Sequence, residues 1–350
     1  MGFPHEQRAD MKAVIFHSPQ SVELSERSAP QPRSDRDNLL RVIACGLCGS
    51  DLRAMTDSAQ MACTPNTVMG HEIVGRIEIP APGSGFAEGD VVVVVPNIPC
   101  RVCFNCKRGL INLCDNFEHI GSHTDGGLAE QLWAATELLH RVPEGLDPQV
   151  AALAEPLACV LNGTTRASWR AGEPVVVLGG GPIGLLFAAV AKLSGAAPLV
   201  VSEPSEVRRR LALEMGADHV VDPTAPGATK QIAELVGGHG APVVMDTLGT
   251  LLSTALQVVA KGGEIFVFGV NHAAAITIAP AVIVDKEVSI HGVFIAKGTF
   301  PLALQLLADH SQLFAKVVSD RILIDDWETA ETLLMSGQTA GKILVTMESS

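Results

Sequence analysis

The chain of 350 residues contains no tyrosine, and aromatic side chains make up only 4% of it. With no phenol present, any proton transfer must fall to other groups. Charge is also scarce, at 18% of residues, and acids outnumber bases for a net charge of -13. No basic stripe exists to replace phosphate counterions, which excludes nucleic acid as a partner. The acidity itself reads as a solubility feature. The segment from Met1 to Asp10 is polar and lacks the charged-then-apolar pattern of an export signal, so a loose extension and a cytoplasmic location are expected. Residues 174–191 form an uncharged run as long as a membrane span. Gly179, Gly180, Gly181, Pro182 and Gly184 interrupt it, so a buried strand, a glycine turn and a helix fit better.

What is abundant is apolar residues, at 47%, and glycine, with 33 copies. That mix fits a compact α/β enzyme of two domains. Up to about residue 150 the pattern is of short strands and turns, with candidates at 38–44, 73–79 and 91–95 and a loop at 80–85. From about Glu173 strands alternate with helices. Strand candidates at 175–178, 199–202, 219–222, 243–246, 265–268 and 289–294 predict a doubly wound parallel sheet. Helices at 301–309 and 326–336 and a last strand at 343–346 follow, in a tail expected to pack back on the first domain. The expected division is a mostly β domain at 11–160 holding a small lobe at 97–117, a nucleotide-binding domain at 161–297, and a return segment at 298–350.

The strand at 175–178 runs into Gly179-Gly180-Gly181-Pro182-Ile183-Gly184, a G-x-G-x-x-G sequence that opens a helix. Gly179 suits the tight turn, Gly181 leaves room for a pyrophosphate, and Gly184 lets the helix lie close to the sheet. Glu203, about twenty residues on at the end of the next strand, is placed to accept hydrogen bonds from a ribose 2′-OH and to repel a 2′-phosphate. NAD is therefore expected over NADP. Arg208, Arg209 and Arg210 could clamp a 2′-phosphate instead. They fall on a helix beginning near Ser205, where most of them should face solvent, and Arg208 is the one kept as a cofactor contact.

Four of the eight cysteines fall close together, Cys100-x-x-Cys103-x-x-Cys106 and then Cys114. Four thiolates at this density match a tetrahedral, structural zinc, which ties down a lobe too small for its own core. An iron–sulfur cluster is the rival, but no second such cluster is present. Three further pieces carry metal-binding groups: Cys45-Gly46-Leu47-Cys48-Gly49-Ser50-Asp51, then Gly70-His71-Glu72-Ile73, then Ala154-Glu155-Pro156-Leu157. Singly, each has a plainer reading, as a buried thiol, a surface imidazole or a helix start. Jointly they offer a thiolate, an imidazole and one or two carboxylates, the mixed set of a catalytic zinc with an open position.

On these motifs, in this order, the chain from Met11 onward resembles the zinc-containing medium-chain alcohol dehydrogenases, in particular the polyol branch of sorbitol, butanediol and threonine dehydrogenases. The resemblance implies a GroES-like catalytic domain beside a Rossmann domain, with the active site in the cleft between them. It selects Cys48, the cysteine preceding Gly-Ser-Asp, over Cys45. It makes His71 and Glu72 ligands, and it places Glu155 at the metal directly or through a water, with Cys159 a lesser substitute. Ser50 matches the hydroxyl that relays the alcohol proton. The His often found three residues later is here Arg53, which cannot take up a proton at neutral pH. Phe117, His119, Ile120, Met55 and Phe294 are implied to line the pocket. The implied reaction is hydride transfer between NAD and a secondary alcohol such as a polyol, cyclitol, diol or hydroxy amino acid, with two zinc ions per chain. The absence of Tyr excludes the Tyr–Lys acid of short-chain dehydrogenases. A homo-oligomer, dimer or tetramer, joined through the strand at 289–294 is implied as well. The alternatives are an NADPH-dependent carbonyl or enoyl reductase with structural zinc only, and a non-catalytic NAD- or metal-binding protein.

Overall fold

The computed structural model describes residues 10–56 and 63–348. The expected loose extension at residues 1–10 lies almost wholly outside them. The described chain forms two compact units. The first runs up to Glu155 and takes in Leu304–Asp309 and the residues from Asp320 on; the second comprises Pro156–Ala303 and His310–Ser319.

The first unit is built on antiparallel strands. Its larger sheet runs Leu139–Arg141, Val91–Val94, Glu72–Ile79, Asp37–Gly46, Lys342–Thr346 and Val318–Leu323 in spatial order, with Gln131–Ala135 also paired to Asp37–Gly46. A smaller sheet joins Ser21–Arg27, Met11–Ser18 and Thr67–Val68. Asp37–Gly46 is buried along most of its length because it has neighbours on both edges and a core of Leu40, Val42, Ile73, Ile77, Val92 and Ile343 packed around it. The return segment adds two strands to this sheet. Sequence periodicity anticipates only the last of them, because Val318–Leu323 alternates weakly and carries Asp320 and Arg321 in its middle.

The second unit is a six-stranded, all-parallel sheet. Its strands run His219–Val221, Leu199–Ser202, Val175–Leu178, Ala241–Asp246, Val259–Val267 and Ser289–Gly292 in spatial order. The order reverses beside Val175–Leu178, which makes the carboxyl end of that strand the switch point where nucleotides bind in such sheets. Val175–Leu178 is wholly buried, as a central parallel strand covered on both faces must be. Helix Pro182–Leu193 follows the glycine turn and is buried from Gly184 to Ala191. Ser289–Gly292 is an edge strand.

Candidate active site and metal centres

In the first unit, strand register assembles the site. Asp37–Gly46 runs antiparallel to Glu72–Ile79 with Gly46 opposite Glu72, so the end of one strand lies beside the start of the other. Cys48, two residues past the first strand, and His71, one before the second, therefore meet. The last strand joins the same end: Leu344 stands opposite Gly46, and Leu47 N–H donates to the Ile343 carbonyl at 3.0 Å. Gly46 is needed here, because a Cβ at that position would overlap Glu72 Oε2.

The outcome is a cluster in which one donor atom each from Cys48, His71 and Glu72 lies within 4.8 Å of the others. His71 and Glu72 are buried, and Cys48 is partly so. Asp51 braces the cluster from behind, accepting the Cys48 N–H at 2.8 Å and placing Oδ1 3.6 Å from His71 Nδ1. Burial works against a charged imidazole, but Asp51 and Cys48 outweigh it and hold the His71 pKa well above the usual value. Ser50 Oγ lies 3.5 Å from His71 Nε2. Glu72 Oε1 accepts from Lys342 Nζ at 2.6 Å, and that ammonium also donates to the Leu47 carbonyl at 3.0 Å. Burial raises the Glu72 carboxyl above its ordinary range against the pull of Lys342. Glu72 Oε2 is buried with no hydrogen-bond partner among the described residues. A thiolate, an imidazole and a carboxylate with an unpaired oxygen, gathered this closely, fit a zinc ion.

Glu155 sits in the first turn of helix Ala154–Thr164 and is buried, outside that group of three. Its charge is felt by both Glu72 and Lys342, which places it in their neighbourhood. Cys45 is not part of the cluster. Its thiol is buried, points at the Gly46 carbonyl at 3.8 Å, and is pushed up well above the usual value by that burial. Cys159 is buried in the Ala154–Thr164 helix, also outside the group. Of the pocket candidates, Met55, His119 and Ile120 are buried in the first unit, and Phe117 packs edge-on to His123. Phe294 belongs to the second unit and is partly exposed. Sequence reasoning missed Lys342 and the bracing role of Asp51.

The four sulfurs of Cys100, Cys103, Cys106 and Cys114 also lie within 4.8 Å of one another. Backbone N–H groups of Val102 and Cys103 bring the Cys100 thiol down to about 6, whereas burial pushes Cys106 up to about 12. A set of four thiols this tight fits a closed tetrahedral zinc with no position left for substrate.

In the second unit, Gly181 caps helix Pro182–Leu193, and among the described residues no side chain makes a capping hydrogen bond there. The free N–H groups of that first turn can meet a phosphate. The Arg208 guanidinium comes near the space beside Gly181, whereas a Cβ at Gly184 would overlap the Gly179 carbonyl. Glu203 is buried, and its carboxylate accepts from Gly180 N–H at 2.7 Å and Ser205 N–H at 2.9 Å. The arginine helix departs from expectation. Only Arg210 is fully exposed; Arg209 turns back to the Glu203 carbonyl at 2.8 Å and to Asp222 at 3.3 Å. Two carbonyls and a carboxylate within its reach outcompete solvent for that side chain.

A parallel nucleotide-binding sheet, together with a β unit that gathers thiolate, imidazole and carboxylate, defines a dinucleotide- and metal-dependent oxidoreductase. Comparison with known proteins makes this specific. Residues 34–144 match the alcohol dehydrogenase GroES-like domain, and residues 182–309 match the zinc-binding dehydrogenase family. The chain is 32% identical to L-threonine 3-dehydrogenase of Pyrococcus furiosus over 94% of its own length and 88% of that protein's. It is similar in structure to a Sinorhizobium meliloti protein solved with NADP, at 33% identity and a TM-score of 0.89, covering 97% and 100% of the two chains. It is likewise similar to 2R,3R-butanediol dehydrogenase from Bacillus subtilis, at 28% identity and a TM-score of 0.87, with the same coverage. The chain belongs to the zinc-dependent medium-chain alcohol dehydrogenase family. It is an enzyme that acts on alcohol CH–OH groups with zinc and a nicotinamide dinucleotide. Among the described residues no helix is long and apolar enough to cross a membrane.

Proposed function

We propose that the chain oxidises a secondary alcohol of the polyol, vicinal diol or hydroxy amino acid class with NAD, at a zinc held by Cys48, His71 and Glu72. The convergence of those three donor atoms within 4.8 Å carries the reading. The names of similar proteins, a threonine 3-dehydrogenase and a butanediol dehydrogenase, support the substrate class. Bound there, zinc supplies a Lewis acid that lowers the pKa of the alcohol.

The remaining work falls to side chains. Asp51 fixes the imidazole of His71, as outer partners of metal-bound histidines do. Glu155 serves as a further ligand, directly or through a water. Ser50 Oγ, both donor and acceptor, takes the alcohol proton and passes it on. Arg53 cannot receive it, so the route ends at a water or a ribose hydroxyl. The N-terminus of helix Pro182–Leu193 and Arg208 bind the cofactor's phosphates, and Glu203 reads the adenosine ribose and favours NAD. A second zinc on Cys100, Cys103, Cys106 and Cys114 holds the small lobe together.

Eight free cysteines, most of them in candidate metal sites, suit the reducing cytoplasm. The edge strand Ser289–Gly292 supplies the contact for a dimer or tetramer, which light scattering at several concentrations reads directly. A panel of polyols, 2,3-butanediol and L-threonine, each offered with NAD and with NADP, tests the function. Reduction of NAD by at least one of them is expected. Turnover with none, by zinc-replete protein, overturns the reading.

A further inference from the structure

Dinucleotides bind at the carboxyl ends of parallel strands, which in this chain is where the glycine turn follows Leu178. The amino ends of the same sheet hold a different concavity. Residues 237–240 lead into Ala241–Asp246, residues 259–261 open Val259–Val267, and Lys286 ends helix Pro280–Lys286 just before Ser289–Gly292. Those three strands are neighbours in the sheet. Around their starts lies a cavity of about 420 Å³, lined by Gly238, His239, Val259, Ala260, Lys261 and Lys286.

The backbone brings these residues together. A Cβ at Gly240 would collide with the Val259 carbonyl and the Ala260 nitrogen, so the loop that carries His239 lies directly against the next strand. Ala241 pairs with Val259 but Val243 pairs with Glu264, so that strand bulges in between, and Lys261 sits on the bulge. Lys286 Nζ donates to the Leu256 carbonyl at 2.7 Å and to the Val259 carbonyl at 3.0 Å, at the end of helix Leu252–Val258.

Capping that helix uses two of the three N–H groups of the ammonium. It does not explain the company Lys286 keeps. Two ammoniums and an imidazole line the cavity, and among the described residues no carboxylate does. Burial, and then the positive charge of Lys261, lower the Lys286 pKa below its ordinary value. Like charges gathered in this way, on a chain whose net charge is -13, repel one another, and an anion between them would reverse the sign of that interaction.

We infer that Lys261, Lys286 and His239 bind a phosphate group, carried by inorganic phosphate or by a phosphate monoester, at a site apart from the glycine turn. Lysine is a compact point charge that suits a tetrahedral oxyanion. A planar carboxylate is matched by the fork of an arginine, and among the described residues none lines the cavity. A phosphate near neutrality carries close to two charges, one for each ammonium. The volume falls in the range of small-ligand sites and leaves room for the organic part of an ester.

The test is calorimetry of inorganic phosphate, phenyl phosphate and succinate with the zinc-loaded enzyme saturated with NADH, so that the glycine turn is already filled. At least one of the two phosphates should bind, the tighter one naming the source, and succinate should bind about 5-fold more weakly or worse. Lys261→Ala and Lys286→Gln should each lower the phosphate affinity by about 10-fold, and Lys261→Arg should retain most of it. Lys261 is exposed, so its replacement leaves the fold intact, and Lys261→Ala decides alone should Lys286→Gln melt early. The melting temperature of the wild type should rise with added ligand, and that of Lys261→Ala should rise less. Binding of neither phosphate, unchanged affinity in Lys261→Ala, or succinate bound as tightly as the phosphates would overturn the site.

Discussion

Lys342 and Glu72 form a buried ion pair, Nζ to Oε1 at 2.6 Å, between side chains that are 2% and 1% exposed. The pair ties the last strand of the chain to the candidate zinc cluster. Burial opposes the charge on Lys342, but Glu72 outweighs it and raises the lysine above its ordinary value. Breaking such a pair leaves one charge buried and uncompensated. Lys342→Met is therefore expected to destabilise the protein by about 3–5 kcal/mol, read as a drop in the melting temperature of the metal-free protein. Glu72→Gln combined with Lys342→Met should cost less than the two changes summed, because the second substitution removes the stranded group.

The two cysteine sites should fail differently. Cys103→Ser removes one of the four thiols of the lobe and should lower the zinc content by one ion per chain, with loss of thermal stability or assembly. Circular dichroism melts alongside metal analysis check this. A Cys103→Ser protein with full zinc content and an unchanged melt would contradict the structural role.

Zinc uptake by the lobe should depend on pH with a definite sign. Zinc binds thiolates, so any thiol still protonated must lose its proton. Cys100, brought to about 6, is already a thiolate near neutrality, whereas Cys106, pushed up to about 12, is not. Affinity should rise with pH above about 6.5, roughly 10-fold per pH unit for each proton displaced. Competition with a chelator across that range measures it, and a flat profile would contradict it.

The Glu203 carboxylate binds two backbone N–H groups, one of them in the glycine turn. Glu203→Ala should therefore loosen the turn as well as remove the ribose contact. NAD affinity is expected to fall by about 10-fold and NADP affinity by less, narrowing the preference without loss of zinc. Fluorescence titration with both reduced cofactors reads the two effects.

These features were unequally legible in the sequence. The cysteine lobe and the glycine turn each occupy one short stretch, so spacing alone describes them; their ligand atoms and backbone turns follow from local chain geometry. Cys48 lies on one segment, and His71 and Glu72 lie together on another. Their motifs are visible singly, but only the resemblance chose Cys48 over Cys45, and in the structure the Cys45 thiol lies at the Gly46 carbonyl and outside the group. Lys342 gave no signal. It meets Glu72 from 270 residues away through the register of three strands, which no periodicity encodes. Arg209 read as a solvated helix charge, and tertiary acceptors on Glu203 and Asp222 drew it inward.

The central claim is that Cys48, His71 and Glu72 hold a zinc without which no alcohol is oxidised. Metal analysis of Cys48→Ser beside the wild type, with NADH formation measured on the same samples, tests it most directly. Two zinc ions per chain are expected in the wild type and one in the variant, with NADH binding kept and turnover abolished. A Cys48→Ser protein that retained both ions, or that oxidised the substrate at the wild-type rate with one, would contradict the claim.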